Sequence, residues 1–387
     1  MLHVHVCAGW FDHWGEQHHT FTAEDTAQRV RTILQQYKAS INFYMFTGGT
    51  NFAFYNGANN FSSRYQPTIT SYDYNAPISE CGDTTEKYVA IRDLLLELKL
   101  APAELAAIPA NSAKAAYGSV ALTEVMQFED VVAVASKLYG GARVRDTPTF
   151  MELLDHNGGY GQNYGYILYR AKDVASYHQL KLNGLLYDAK LVYCNGELVK
   201  NVRPNQNKVA CDLKQPQNNV VDILVENLGR VNFRRAGDYT RMFETQLKGF
   251  HGWVGGLSRS AADKETSVSK QWLHVPMEFD SEFYGALVSS NLWTATSKLP
   301  PQNTQPVVLR GYLDLDADPK DTFLDMQNWF RGIVYINGYN IGRYWSRGPQ
   351  RTLYVPWPLL RKGRNEIMVF SLNSAQSNVE FTDQPML

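Results

Sequence analysis

The spacing of apolar positions changes part-way along the chain. From Thr22 to Lys38, Val30, Ile33, Leu34 and Tyr37 recur at helical spacing, and Thr22 with Asp25 resembles a capping box, which predicts an amphipathic helix. The run Ile41-Asn42-Phe43-Tyr44-Met45-Phe46 is short and apolar and ends at Gly48-Gly49, as expected of a buried parallel strand. Another strand-like stretch, Thr68-Ile69-Thr70, runs into Tyr72-Asp73-Tyr74. Asp83 with Glu86 is then expected to cap a helix from Thr84 to about Lys99. Repeated βα units build barrels or doubly wound sheets. A complete eightfold barrel takes about 250 residues and about 100 are present here, so residues 1–99 read as an incomplete α/β barrel, a remnant of a (β/α)8 TIM barrel.

Residues 100–117 carry Pro102, Pro109 and little periodicity, and read as a linker. Beyond them the period becomes two. Ala189 to Val199 alternates around Asn195-Gly196, a strong hairpin signal because both turn residues accept positive φ, and Gly332 to Ile341 repeats it around Asn337-Gly338. Each copy precedes an apolar strand, Val220–Val225 and Ile367–Phe370. The repetition predicts two jelly-roll β-sandwich modules, at 118–245 and 246–387, after the barrel piece.

Composition narrows the partners. Of 387 residues, 44% are hydrophobic, 13% aromatic and 19% charged, with a formal net charge of -1. No basic block points to nucleic acid, and no apolar run is long enough for a membrane span. Many rings beside few charges suit a neutral sugar as well as an aromatic-rich β core. Cys7, Cys81, Cys194 and Cys211 show no metal-ligand spacing; Cys194 and Cys211 are candidates to pair. Asn60-Phe61-Ser62 is a glycosylation acceptor in a stretch that reads as an exposed loop, and the first residues do not form a signal peptide.

In a barrel the functional rim is the set of loops after the strands, here Gly9–Gly15, Tyr44–Phe52 and Thr70–Tyr74. Trp10 can stack on a sugar, and Tyr44 and Tyr74 can hydrogen-bond its hydroxyls, although rings at strand ends equally serve packing. Asp12 and His13 read as a hydrogen-bonded structural pair rather than metal ligands. Glu80 and Asp83 are the remaining acids near the rim, and neither reads as catalytic. Arg343 and Trp345 read as a structural stack rather than a ligand clamp.

The segments GWFDHWG, NFYMFTGGTNF and TSYDYNAPISECGDTTEKY resemble successive signatures of family 35 glycoside hydrolases, the β-galactosidases. YGYILYR, LVENLGRVNF, VYINGYNIGRYW and GPQRTLYVP resemble that family's two C-terminal, galactose-binding-like modules, and the animal lysosomal branch is the nearest in likeness. The resemblance implies retaining hydrolysis of terminal β-linked galactose by two glutamates roughly 5 Å apart, with no cofactor and no metal. It gives Trp10, Tyr44 and Tyr74 substrate-binding roles and a galactose-terminated glycan as partner, and leaves a homo-oligomer open. The position matching the nucleophile is His5, and the acid/base glutamate would precede Met1, so this chain is expected to be inactive as given. The alternative is a non-catalytic glycan-binding or structural β-sandwich protein. A lysosomal or secreted location is implied by the resemblance alone.

Overall fold

The computed structural model describes residues 3–61, 64–102, 104–199, 208–234, 246–258, 265–298 and 304–387. The chain is mostly β, with few helices and two β-sandwich modules.

In the first hundred residues, β1 (His3–Val6) and β2 (Ser40–Phe43) pair in parallel, and α1 (Ala23–Arg31) packs on α2 (Glu86–Glu97). Thr22 caps α1 as expected, its hydroxyl accepting from the Asp25 N–H at 3.0 Å. The helix stops short of Lys38 because its last turn, Thr32–Gln36, widens, and the Tyr37 N–H reaches back five residues to Thr32. β2 is parallel but shorter than predicted and half-exposed rather than buried, since a two-stranded pair covers little of its surface. Asp83 does not cap α2, which follows Thr85 without a side-chain cap; the Asp83 carboxylate instead takes the Lys114 ammonium at 2.5 Å. Four short strands complete this region: β3 (Gly49–Thr50), β4 (Gly57–Phe61), β5 (Arg64–Pro67) and β6 (Ser71–Tyr72). The stretch 68–70 contributes only a single bridge, Thr68 to His13, before β6. Asn60 lies within β4 and is buried, not in an exposed loop, and Ser62 of its acceptor triplet is outside the described residues.

The strand β7 (Gly118–Gln127) follows, then the first sandwich: β8 (Arg143–Arg145), β9 (Tyr166–Val174), β10 (Gln179–Tyr187), β11 (Ala189–Cys194), β12 (Glu197–Leu198), β13 (Lys208–Ala210), β14 (Asn219–Glu226), β15 (Arg230–Arg234), β16 (Gly249–Leu257), β17 (Thr266–Ser267) and β18 (Trp272–Met277). One sheet runs β12-β11-β14-β9-β18-β8 and the other β13-β10-β16-β17. The second sandwich is β19 (Thr294–Ala295), β20 (Val307–Leu315), β21 (Thr322–Asp325), β22 (Arg331–Ile336), β23 (Tyr339–Trp345), β24 (Thr352–Val355), β25 (Gly363–Ser371) and β26 (Asn378–Thr382). Its strand order β23-β22-β25-β20 repeats β12-β11-β14-β9. Both Asn-Gly turns form, with Asn195, Gly196, Asn337 and Gly338 all at positive φ.

Strand pairing crosses the expected boundary between 245 and 246. β16 and β18 pair with β10 and β9, while β7 pairs with β20 and β26 of the second sandwich. β7 turns the corner between sheets: Leu122–Gln127 lie along β20 and Gly118–Ala121 along β26. The first sandwich is therefore inserted between two sequence segments of the second. The central strands are buried on both faces. Val221, Ile223 and Val225 of β14 enter the first sandwich core with Trp272 and Phe250, while Leu224 faces the junction. Ile367 and Val369 of β25 enter the second core; Met368 and Phe370 face the same junction. Helices α3 (Phe128–Ala135) and α4 (Ser281–Ser289) add Phe128, Val131 and Phe283 there, so the two modules share an apolar core. Cys194 and Cys211 form a disulfide.

Candidate functional site

The segments that follow β1 and β2, together with β6, border one cavity of about 710 Å³. Trp10, Phe11 and Tyr44 line it beside Tyr72, Asn51 and Asn59. Tyr74 is buried beneath: its ring lies 6.1 Å from Trp10, 5.4 Å from Tyr72 and edge-on to Tyr44 at 5.6 Å. Trp10, Tyr44 and Tyr74 are thus brought together, with Trp10 and Tyr44 exposed to the cavity and Tyr74 supporting them.

Close backbone approach makes this arrangement possible. A Cβ on Gly9 would collide with the carbonyl oxygen of Tyr74, so the strand-end loop and the Tyr72–Asn75 turn can touch only through glycine. Tyr74 and Asn75 turn the chain at φ 64° and 49°. Lys87, on α2, ties the two loops: its ammonium donates to the Ala8 carbonyl at 2.7 Å and to the Asn75 carbonyl at 2.6 Å. Burial pulls the Lys87 ammonium down to about 8. Below Tyr72, the Glu80 carboxyl accepts from Thr50 and Ser71 hydroxyls, both at 2.5 Å, and so clamps β3 to β6. Burial pushes Glu80 up to about 8. Burial also raises the phenols of Tyr72 and Tyr74, helped by hydrogen bonds to Tyr44 and Cys7 respectively, so both remain neutral hydrogen-bonding groups.

The first sandwich supplies the opposite wall. β15 pairs in parallel with β4, which brings Asn232 and Phe233 to the cavity, and Phe233 packs on Phe61 at 5.5 Å. Tyr55 extends the rim toward Tyr164, ring to ring at 5.5 Å. Asn232 and Phe233 sit in the LVENLGRVNF segment, whose pattern reads as module structure; the cue that they serve the cavity is their pairing with β4, which sequence does not display.

The remaining predicted residues fall elsewhere. His5, on β1, is exposed beside Asn42 at 3.4 Å and is not among the residues lining the cavity. Asp12 and His13 do not pair with each other. Asp12 accepts from His18 at 2.7 Å and from the His19 ring at 2.8 Å, whereas His13 bonds Glu16 at 2.7 Å, because the chain turns the two side chains to opposite neighbours. Burial alone would raise the Asp12 carboxyl, but the His18 and His19 hydrogen bonds outweigh it and hold Asp12 below its ordinary value. Arg343 is buried in a charged cluster that joins all three parts of the chain. It donates to Glu226 at 2.5 Å, to Asn56 at 2.8 Å and to the Asn227 carbonyl at 3.1 Å. Arg343 does not stack on Trp345 as expected: its guanidinium lies over Phe54 at 5.4 Å, and it is Arg331, bonded to the other Glu226 oxygen, that lies over the Trp345 ring at 4.3 Å.

A ring-walled cavity with amide and phenol groups and no carboxylate among its described lining residues suits an uncharged, hydroxylated ligand. Residues 1–98 match glycosyl hydrolases family 35, residues 156–247 the first all-beta domain of beta-galactosidase, and residues 306–365 its galactose-binding domain. The human beta-galactosidase-1-like protein 2 is 35% identical over 98% of this chain and 55% of its own length. Human beta-galactosidase is 33% identical over 100% of this chain and 56% of its own, and the bovine protein 32% over 98% and 57%. The chain is similar over nearly its whole length to these β-galactosidase-type proteins, with residues 1–98 carrying the family 35 match, and it spans about half the length of the relatives it matches. No helix among the described residues is long and apolar enough to cross a membrane.

Proposed function

We propose that this chain carries the galactose-recognising portion of a β-galactosidase-type glycosidase, with Trp10 and Tyr44 in the sugar wall, Tyr74 supporting both rings from beneath, and Asn232 and Phe233 facing the rest of the glycan. Residues 1–99 are the C-terminal part of a TIM barrel, 100–117 a linker and the remainder the two sandwiches, interleaved as their pairing describes. The parallel β1–β2 pair with α1 and α2 packed together supports the barrel assignment. The observation that carries the reading is the cavity's lining: the stacked rings of Trp10, Phe11 and Tyr72, with Tyr44, beside Asn51, Asn59 and Asn232, and no carboxylate among the described lining residues. Such a wall binds the apolar face and hydroxyl edge of a pyranose. It supplies neither an anionic nucleophile nor a general acid, and an imidazole at position 5 does not stabilise an oxocarbenium-like transition state as a carboxylate does.

The 387 residues therefore bind terminal β-galactosides of glycoconjugates without hydrolysing them, in a lysosomal or secreted setting as the animal relatives suggest. Nitrophenyl β-galactoside assays and saturation-transfer NMR with methyl β-galactoside, run on the same preparation, test both halves. Saturable binding that Trp10→Ala weakens about tenfold, with no turnover, is expected. Turnover overturns the inactive half, and binding indifferent to Trp10 overturns the site.

A further inference from the structure

The segments that carry Trp10 and Tyr74 are joined a second time, outside the cavity lining, by residues 12–21. Asp12 is 4% exposed, and both carboxylate oxygens are taken: Oδ2 accepts from the His18 ring at 2.7 Å, and Oδ1 from the His19 ring at 2.8 Å and the His19 N–H at 2.9 Å. Two residues on, the Phe21 N–H donates to the Asn75 side-chain oxygen at 2.8 Å, which also takes the Lys87 ammonium. The Asp12 carbonyl accepts from the Ile69 N–H at 3.1 Å, so the chain next to Phe11 is fixed through both side chain and carbonyl. Phe11 stacks on Trp10 at 5.1 Å and on Tyr72 at 5.6 Å. Residues 18–21 therefore tie the Trp10 segment, through Asp12, to the Tyr74 turn, through Asn75.

His18, with 22% of its side chain exposed, can exchange its proton with solvent near neutral pH. The Asp12 hydrogen bond raises the His18 ring above its ordinary 6.5 and outweighs the burial that would lower it. Asp73 assists from the Tyr72–Asn75 turn and Lys87 opposes from α2; with Asp12 these are the charged groups acting on the ring, and His19 shares the Asp12 carboxylate. A group raised in the fold contributes its full stabilisation below the ordinary value and loses it as pH rises through the folded value. Protonated, His18 makes a charge-assisted bond to a buried carboxylate; neutral, it leaves Asp12 less well compensated.

We infer that Asp12 and His18 are positioning residues for the sugar wall, and that the charge on His18 sets how firmly Trp10 is held for a galactoside. The inference rests on the galactose reading of the cavity and adds its regulation: binding is tighter in mildly acidic surroundings. Neither residue is among those lining the cavity, so both act through Phe11 and Trp10. A galactoside that settles against Trp10 favours the closed Asp12–His18 contact. By linkage, it therefore raises the pH at which His18 loses its proton.

The test uses the full chain, methyl β-galactoside as probe, and NMR of the His18 ring and the Trp10 indole. In the parent, the Trp10 signal shifts along with the His18 titration, and the galactoside binds about threefold or more tighter at about pH 5 than at about pH 8. His18→Gln keeps an N–H donor without the titration, so its affinity is expected to be the same at both pH values and close to the parent's at the higher one. Asp12→Asn removes the charge and brings the His18 titration down toward its ordinary value; near-UV circular dichroism verifies that both variants fold. Equal parent affinities at the two pH values overturn the inference, as does a pH dependence undiminished in His18→Gln. A Trp10 signal that ignores the His18 titration overturns it too, and needs no ligand. Galactoside binding that is absent, or indifferent to Trp10→Ala, defeats the galactose reading instead, and the Trp10 signal still decides whether His18 positions the ring.

Discussion

Replacing Glu226 by Gln should expose how the three parts of the chain are pinned together. Glu226 is 2% exposed and receives Arg343, 1% exposed, at 2.5 Å on one oxygen and Arg331 on the other. Gln keeps the volume and removes the one negative charge these two guanidinium groups share. Breaking a buried pair while its partner stays in place costs about 3–5 kcal/mol, because the remaining charge is desolvated without compensation. With 387 residues and an unfolding entropy of about 2.1 cal/mol/K per residue, the loss corresponds to a midpoint lowered by about 4–6 °C. Calorimetry of the parent, Glu226→Gln, Arg331→Met and the double variant measures this, and the coupling energy from the cycle should exceed about 0.5 kcal/mol. The cluster also reaches Asn56 and Thr70, the latter through its hydroxyl on the Arg343 carbonyl at 2.6 Å. Amide hydrogen exchange around residues 56–71 should therefore accelerate in Glu226→Gln. A midpoint within about 1 °C of the parent, with unchanged exchange there, refutes the argument.

Three further outcomes follow from local geometry. Gly9→Ala should abolish galactoside binding with a smaller effect on the sandwiches, since its methyl group would displace the Tyr74 carbonyl; ligand NMR beside near-UV circular dichroism separates the two, and undiminished binding contradicts the close-approach reading. Glu80, pushed up to about 8 from an ordinary 4.5, stays protonated in the fold where the unfolded chain has ionised. Its stabilising contribution is complete below the unfolded value and is lost as pH rises through about 8, so melting points should fall from about pH 5 to about pH 8, and less so in Glu80→Gln. Equal slopes in the two proteins would count against it. The disulfide Cys194–Cys211 spans 17 residues, so Cys194→Ser with Cys211→Ser should cost about 3 kcal/mol in urea unfolding, and an unchanged midpoint would show that the link constrains little.

What could be read from sequence was what local chemistry decides. Asn-Gly at 195–196 and 337–338 fixes two hairpins because few residue pairs accept those dihedrals, and Thr22 fixes a helix start because its hydroxyl reaches the Asp25 N–H. The repeat of hairpin and apolar strand correctly implied two related modules. The boundary between them was invisible, because β7 pairs with strands about 200 residues away and nothing in its alternation names them. The extended reading of helix 22–38 failed for a comparable reason, since one widened turn leaves the apolar spacing intact. Asp83 had the right position for a cap, but an ammonium from Lys114 outcompetes a neutral N–H for a carboxylate.

The cavity divides along the same line. Trp10, Tyr44 and Tyr74 lie in the segments that follow β1, β2 and β6, and their rings converge there, as the placement of polar and aromatic residues after strand-like runs led one to expect. Tyr72, two residues before Tyr74 on β6, has its ring in the wall while Tyr74 is buried beneath, a difference that their shared residue type does not display. Asn232 and Phe233 come from the other side of the molecule, placed by a parallel pairing of β15 with β4 across about 170 residues of intervening chain. A wall assembled from distant segments persists only if those segments are locked together. The Glu226 cluster is the lock: Asn56, which immediately precedes β4, and Asn227, which lies between β14 and β15, both bond the same Arg343 guanidinium. Cavity shape and charged cluster are in this sense one structure, and a substitution at Arg343 should alter ligand binding without touching the ligand.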